Sequence, residues 1–248
     1  MSGHSKWVNI RIKKGKMDSL RGKAFTRLAK EIIAAARAGG GDPNSNLRLR
    51  NALLKAREAS MPQDNIKRNI MRGTGELEGT QYEEITYEGY GPAGVAVMVQ
   101  CFTDNRNRTA PEVRSVFRAA GGNMGETGCV SYLFDHKGII LVPKAGVDED
   151  TVMMAALEAG AEDVKTEGEE HYEIITAPHD VYLVKEALDK AGIPVDEAEA
   201  RMIPQTTVTL TGKDAQQVIK LIDILEENDD VQNVYSNVDI PDEELAHL

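Results

Sequence analysis

Cations carry the clearest chemical signal in this sequence. Lys6, Arg11, Lys13, Lys14 and Lys16 crowd into a short N-terminal segment, and Arg21, Lys23, Arg27, Lys30 and Arg37 follow at helical spacing. A basic arm beside a rigid basic face can track a phosphate backbone, releasing counterions at each neutralised phosphate. No helix shows Asn, Gln and Arg arranged for base edges, so the pattern points to phosphate or shape readout rather than to sequence reading. Trp7, the only tryptophan, lies inside the arm. It reads either as an anchor pinning the arm to the helices or as a platform for base stacking. A second cationic cluster, Arg106, Asn107 and Arg108, sits in TDNRNRT at 103–109, just before a capped helix. Backbone N–H groups there favour anions, which makes the trio a candidate anion or partner site. The same composition also suits a turn network in which Asp104 and an arginine hold the loop.

Other motifs fall short of chemistry. Gly89, Gly91 and Gly94 spell GxGxxG, but VAVMVQC follows, which is a strand. A dinucleotide site needs a helix there, so the glycines read as a hairpin turn. His4, His136, His171, His179 and His247 form no metal-binding spacing. Neither a phosphate-binding GxxxxGK[ST] loop nor a GxSxG nucleophile elbow occurs. Glu167, Glu169 and Glu170, like Asp148 to Asp150, read as solvated loops or first turns of helices. The expectation is a protein that is not an enzyme, with no cofactor and no metal. Cys101 and Cys129, 28 positions apart without a CxxC, read as reduced thiols.

The charge distribution sharpens the partner class. Across 248 residues the net charge is −11, with 41% hydrophobic and 28% charged residues. Residues 1–75 hold 17 Lys+Arg against 5 Asp+Glu, a net of +12, and residues 76–248 hold 12 against 35, a net of −23. One end is built for a polyanion, and the remainder repels it. Self-docking of the basic segment on its acidic neighbour is the competing reading. The longest strongly apolar run, Val95–Val99, is far too short to span a bilayer, and the basic N-terminus has no apolar stretch of a secretory signal. A cytoplasmic protein with no membrane contact is expected.

The elements that must position these residues follow from periodicity. Phe25, Leu28, Ile32, Ala35 and Ala36 define an amphipathic helix over 20–38, ended by Gly39–Gly41. Asp42–Pro43 reads as the cap and first turn of a second helix to about Ala59. Ser60 with Gln63 reads as the capping box of a third, which ends at Gly73. Beyond the linker 73–79 the period becomes that of strands: 82–90 and 95–103 joined at Pro92, then a helix from Thr109 capped with Glu112. Further strands are expected at 130–134 and 138–142, helix 148–160, strands 162–167 and 171–176, helix 179–190 and strand 194–203. That βαββαβ order is the ferredoxin-like split motif. Strand 206–211, helix 213–228 and strand 231–238 close the chain, giving an α+β protein.

Several stretches together resemble one family: GHSKW at 3–7, RGKAFTRLAKEI at 21–32, AARAGGGDP at 35–43, MPQDNIKR at 61–68, YEGYGPAGVAV at 87–97, TDNRNRT at 103–109 and GGNMGETGCVSYLF at 121–134. The sequence is identified on these as a member of the YebC/PmpR family, which includes mitochondrial translational activators of cytochrome oxidase. The resemblance implies three domains, an N-terminal helical bundle and two α/β domains, the last inserted into the middle one. On this chain that gives a basic nucleic-acid-binding domain over 1–78, a discontinuous α/β domain over 79–131 plus 204–248, and a ferredoxin-like insert over 132–203. It implies a DNA-binding transcriptional regulator, or else a ribosome-associated translation factor that binds ribosomal RNA and aids synthesis of difficult nascent sequences. In the second case the acidic domains would face basic ribosomal proteins. No catalytic residues or cofactor come with the family. Lys6, Arg21, Lys23, Arg27 and Lys30 are the binding positions it carries over.

Overall fold

A computed structural model describes residues 20–79, 81–168 and 170–241, with side chains from residue 25 onward. The chain divides into two compact units, one holding 20–131 with 213–236 and the other 132–212 with 237–241. The mixture of helix and sheet is α+β, as expected. By packing, the N-terminal helices form one unit with the first sheet.

Helix α1 (Leu20–Gly39) matches its expected span. The second helix starts later than Asp42–Pro43 suggests. Residues 42–46 form a turn in which Asp42 accepts from the Ser45 and Asn46 N–H groups, and α2 is Leu47–Glu58. Asn46 is its cap: Oδ1 accepts from Leu49 N–H at 3.0 Å, while Nδ2 donates to the Ala35 and Gly40 carbonyls. One buried amide thus fixes the end of α1 and the start of α2. Helix α3 (Gln63–Thr74) follows Pro62, without the capping box expected from Ser60. Ser60 instead takes a positive φ of 61°, in the turn that leaves α2. Gly73 does not end α3. It lies where a Cβ would stand 2.6 Å from both the Ala36 Cβ and the Ile33 carbonyl oxygen, so glycine allows α1 and α3 to touch backbone to backbone. Ile32, Ala35, Ala36, Leu49, Leu53 and Ile66 belong to the core shared by these helices.

Strands β1 (Glu83–Tyr90) and β2 (Ala96–Thr103) form an antiparallel hairpin, and the GxGxxG glycines lie at its turn. Helix α4 (Arg106–Ala119) begins three residues before the expected Thr109 because Asn105 caps it. Strand β3 (Asn123–Met124) pairs with β1. A single strand, β4 (Phe134–Pro143), replaces the two expected between 130 and 142. Then come α5 (Glu149–Glu158), β5 (Asp163–Lys165), β6 (His171–Thr176), α6 (Val181–Lys190) and β7 (Glu197–Pro204). Their sheet runs β5-β6-β4-β7, antiparallel throughout, the order of a split βαββαβ motif. Short β8 (Val208–Thr209) pairs in parallel with β10 (Val238–Asp239). Between them, α7 (Gly212–Glu227) and β9 (Val231–Ser236) return to the first sheet, ordered β3-β1-β2-β9.

The first sheet is covered on both faces. Gly89 lies against Phe117 of α4 and Gly91 against Leu221 of α7. The opposite face presents Phe102 to Ile33 and Ala34 of α1. Helix α1 therefore has two buried sides, one toward α2 and α3 and one toward the sheet.

Candidate nucleic-acid interface

The second buried side of α1 decides the fate of its cations. Helical spacing puts Lys30 on a surface facing nucleic acid, yet it is only 7% exposed. Its Nζ donates to the Asp229 carbonyl at 2.7 Å and the Phe102 carbonyl at 3.1 Å, and stands 3.5 Å from Asp230 Oδ1. It also lies 5.5 Å above the Tyr82 ring, which stacks on Phe102. An ammonium so enclosed cannot reach a phosphate, and Lys30 leaves the set of contact residues. Arg27 donates from Nη2 to the Glu226 carbonyl at 2.6 Å, at the last turn of α7, where the helix dipole favours a cation. Arg37, exposed, donates to the Tyr82 carbonyl. Arg27 and Arg37 thus turn to carbonyls of the chain itself, and Lys30 also meets a carboxylate, that of Asp230. Lys6, Arg11, Lys13, Lys14 and Lys16, and the side chains of Arg21 and Lys23, lie outside the described residues.

Asp230 is the centre of this region. Its carboxylate, 5% exposed, accepts from Arg108 Nη2 at 2.7 Å, Thr109 Oγ1 at 2.8 Å and Thr103 Oγ1 at 3.1 Å. Burial disfavours the charged carboxyl, but Arg108, Thr109, the Lys30 charge and Thr103 outweigh it and hold Asp230 below its ordinary value. Arg108 also bonds Asp104 at 3.0 Å. So Thr103, Asp104, Arg108 and Thr109 form the turn network, with Asp230 as a participant that local spacing could not reveal. Arg106 and Asn107 stay exposed on the first turn of α4, without a side-chain hydrogen bond to any described residue. Buried Cys101, on neighbouring β2, is raised to about 12 by burial and by the Asp230 charge, which is consistent with a structural thiol.

A second carboxylate organises the glycine-rich stretch 121–131. Glu88, 3% exposed, accepts from the N–H groups of Gly128, Val130 and Ser131 at 2.8–2.9 Å. Burial opposes its charge, but the three N–H donors prevail and lower its titration point. Both carboxylates hold loops, and their oxygens are engaged within the protein.

The cations open to solvent lie elsewhere in the helical segment. Arg57 on α2 and Lys67, Arg68 and Arg72 on α3 are exposed, and none of their side chains forms an ion pair or hydrogen bond with a described residue. Arg68 and Arg72 are one helical turn apart, with Lys67 beside them. Helix α3 can present them because its other side, through Ile66, Ile70 and Gly73, is fixed against α1. Sequence reading missed these four as contact residues, although the MPQDNIKR stretch contains two of them. The available signal was the apolar pattern of α3, which leaves Arg68 and Arg72 on the opposite side and Lys67 at its margin. Among the described residues no group of His, Cys, Asp and Glu is placed to hold a metal ion, and no helix is long and apolar enough to cross a membrane.

Two family models cover nearly the whole chain. Residues 5–76 match the TACO1/YebC protein N-terminal domain, and residues 82–238 match the TACO1/YebC second and third domain. The chain belongs to the TACO1/YebC family. It is 60% identical over 248 residues, all of both chains, to a relative named probable transcriptional regulatory protein in Geobacter sulfurreducens. A relative of the same name in Pelotomaculum thermopropionicum is 59% identical over 98% of this chain and 100% of its own. A solved structure, that of a conserved hypothetical protein from Aquifex aeolicus, is 53% identical with a TM-score of 0.80. That match covers 92% of this chain and 94% of the other. This TACO1/YebC chain therefore matches, over its length, relatives named probable transcriptional regulatory protein, and it shares its fold with the Aquifex structure.

Proposed function

We propose that the protein is a non-enzymatic, cytoplasmic nucleic-acid-binding regulator of gene expression, acting on DNA through its basic N-terminal region. The reading rests on one observation above all: Arg57, Lys67, Arg68 and Arg72 stand exposed and without described acidic partners on helices whose other sides are locked into the core. Rigid, unneutralised cations bind a polyanion without first breaking internal ion pairs. Arg11, Lys13, Lys14 and Lys16 would extend that surface along the backbone, with Lys6, Arg21 and Lys23 beside them. Arg106 and Asn107 remain a candidate anion or partner contact. In this reading the protein has three functional parts: the basic helices, the sheet unit that clamps them, and the βαββαβ insert.

A ribosomal reading is favoured by one further observation. The segment 132–212 holds 6 Lys+Arg against 17 Asp+Glu, a charge that suits basic ribosomal proteins and serves no purpose on a DNA duplex. Crosslinking the native protein in cells, purifying it stringently and sequencing the attached nucleic acid tests both. Defined promoter DNA is the expected result for direct regulation of transcription. Ribosomal RNA from one locus makes the protein a translation factor, and recovery of no nucleic acid overturns both readings.

A further inference from the structure

The sheet β5-β6-β4-β7 has two faces of very different character. Gly138 lies against Val181 of α6, so the Gly138, Ile140 and Val142 face carries the helix layer. The alternate residues point the other way. There Ile139 and Leu141 are each 2% exposed and Ile203 is 9%, with Ile175 packed against them. Neither described helix of this unit lies on that side. Such burial of a sheet face calls for a cover. Around the apolar strip stand Glu173, 3% exposed, and Glu197 and Glu199, which share Arg201 at 2.6 Å each. The face asks for a ligand that is apolar along its middle and cationic at its sides.

We propose that the N-terminal arm of this same chain, residues 6–14, docks on that face. Its sequence, KWVNIRIKK, sets Val8, Ile10 and Ile12 at alternate positions. An extended segment with that alternation presents three apolar side chains to one side. Lys6 and Lys14 fall on that same side and supply the complementary charge for Glu173, Glu197 and Glu199, while Trp7, Arg11 and Lys13 fall on the other. The apolar contact desolvates the ion pairs around it, which strengthens them. The acidic insert thus serves the chain internally, because it holds the cations of the arm and a phosphate backbone must compete for them.

Trp7 makes the proposal directly measurable, because it is the only tryptophan in the chain. In the full-length protein at low salt, its fluorescence anisotropy should be that of a residue tumbling with the whole protein, well above that of a free peptide with the sequence of residues 1–19. Two variants act from opposite sides, Glu197→Lys with Glu199→Lys on the face, and Lys6→Glu with Lys14→Glu on the arm. Each should lower the anisotropy toward that of the peptide, while circular dichroism stays unchanged. The arm variant leaves the sheet untouched, so it remains decisive if the first fails to fold. Combining the two pairs should restore the anisotropy. A Trp7 as mobile in the native protein as in the peptide, or one still immobilised in the arm variant, would overturn the proposal.

Discussion

Helices α1 and α3 carry the same kinds of cation and use them in opposite ways. On α1, Arg27, Lys30 and Arg37 bond to carbonyls of α7, β2 and the segment before β1. On α3, Lys67, Arg68 and Arg72 face solvent without a described partner. The difference lies in the number of neighbours. Helix α3 packs on one side only, whereas α1 lies between α2 and α3 and the sheet. A count of positive charge therefore says little about an interface until the packing of each helix is known. What remains available to a polyanion is the part of the charge that the fold leaves unneutralised.

This contrast can be broken at several points. The largest effect belongs to the buried side. Asp230→Ala leaves Lys30 enclosed without its counter-charge, and chemical denaturation should show a loss of about 3–5 kcal/mol. Next comes Gly73→Ala, which forces a methyl into the α1–α3 contact and should cost about 1–3 kcal/mol. Its effect would spread to the cationic face, because α3 could no longer sit at the same height on α1. On the exposed side, replacing Arg57, Lys67, Arg68 and Arg72 by Gln should leave the melting curve almost unchanged. Binding to duplex or ribosomal RNA fragments should weaken, and the slope of log K against log salt should fall by about 3 to 4. Lys30→Gln should do the reverse, lowering stability with no change in the salt slope. If Lys30→Gln altered the slope as the surface set does, the contrast between the two helices would be wrong.

A smaller effect follows from the two buried carboxyls. Asp230 and Glu88 both titrate lower in the folded chain than in the unfolded one. Their contribution is complete above the ordinary carboxylate value of about 4 and declines as pH falls toward the folded value. Stability of the native protein should drop as pH is lowered from about 5 to about 3, and Asp230→Asn should flatten that slope. An unchanged slope in the Asn variant would remove Asp230 from the account.

Much of this architecture was legible in the sequence, for definite reasons. Helix α1 declared itself through Phe25, Leu28 and Ile32, and the order of strands and helices from 134 to 204 followed from changes of period. Helix starts were less legible because polar residues compete for one role. Asp42, Asn46, Ser60 and Thr109 all suit a cap, but only Asn46 serves as one. The fate of Lys30 was hidden more deeply. A polar stripe opposite an apolar one reads as solvent-facing, and its partner Asp230 lies 200 positions away. The reading of 103–109 named the Asp104–arginine turn network but not its second carboxylate, because Asp104 is local, while Asp230 is not. The exposed cations of α3 were within reach, since Arg68 and Arg72 fall opposite Ile66 and Ile70 and Lys67 lies at the margin of that face.

The distant position of Asp230 also sets an order of events during synthesis. The carboxylate that fastens Lys30 of α1 and the 103–109 loop is made after the whole of 132–212 has been translated. The βαββαβ segment is contiguous and can complete its sheet while α1 still waits for β9. Folding of this chain should thus proceed from the middle outward, with its oldest residues among the last to be secured. Nascent chains arrested once residue 212 has left the ribosome should protect 132–204 from protease while β2 and the 103–109 loop remain open to cleavage. Simultaneous protection of both would show that the first unit closes without its final strand.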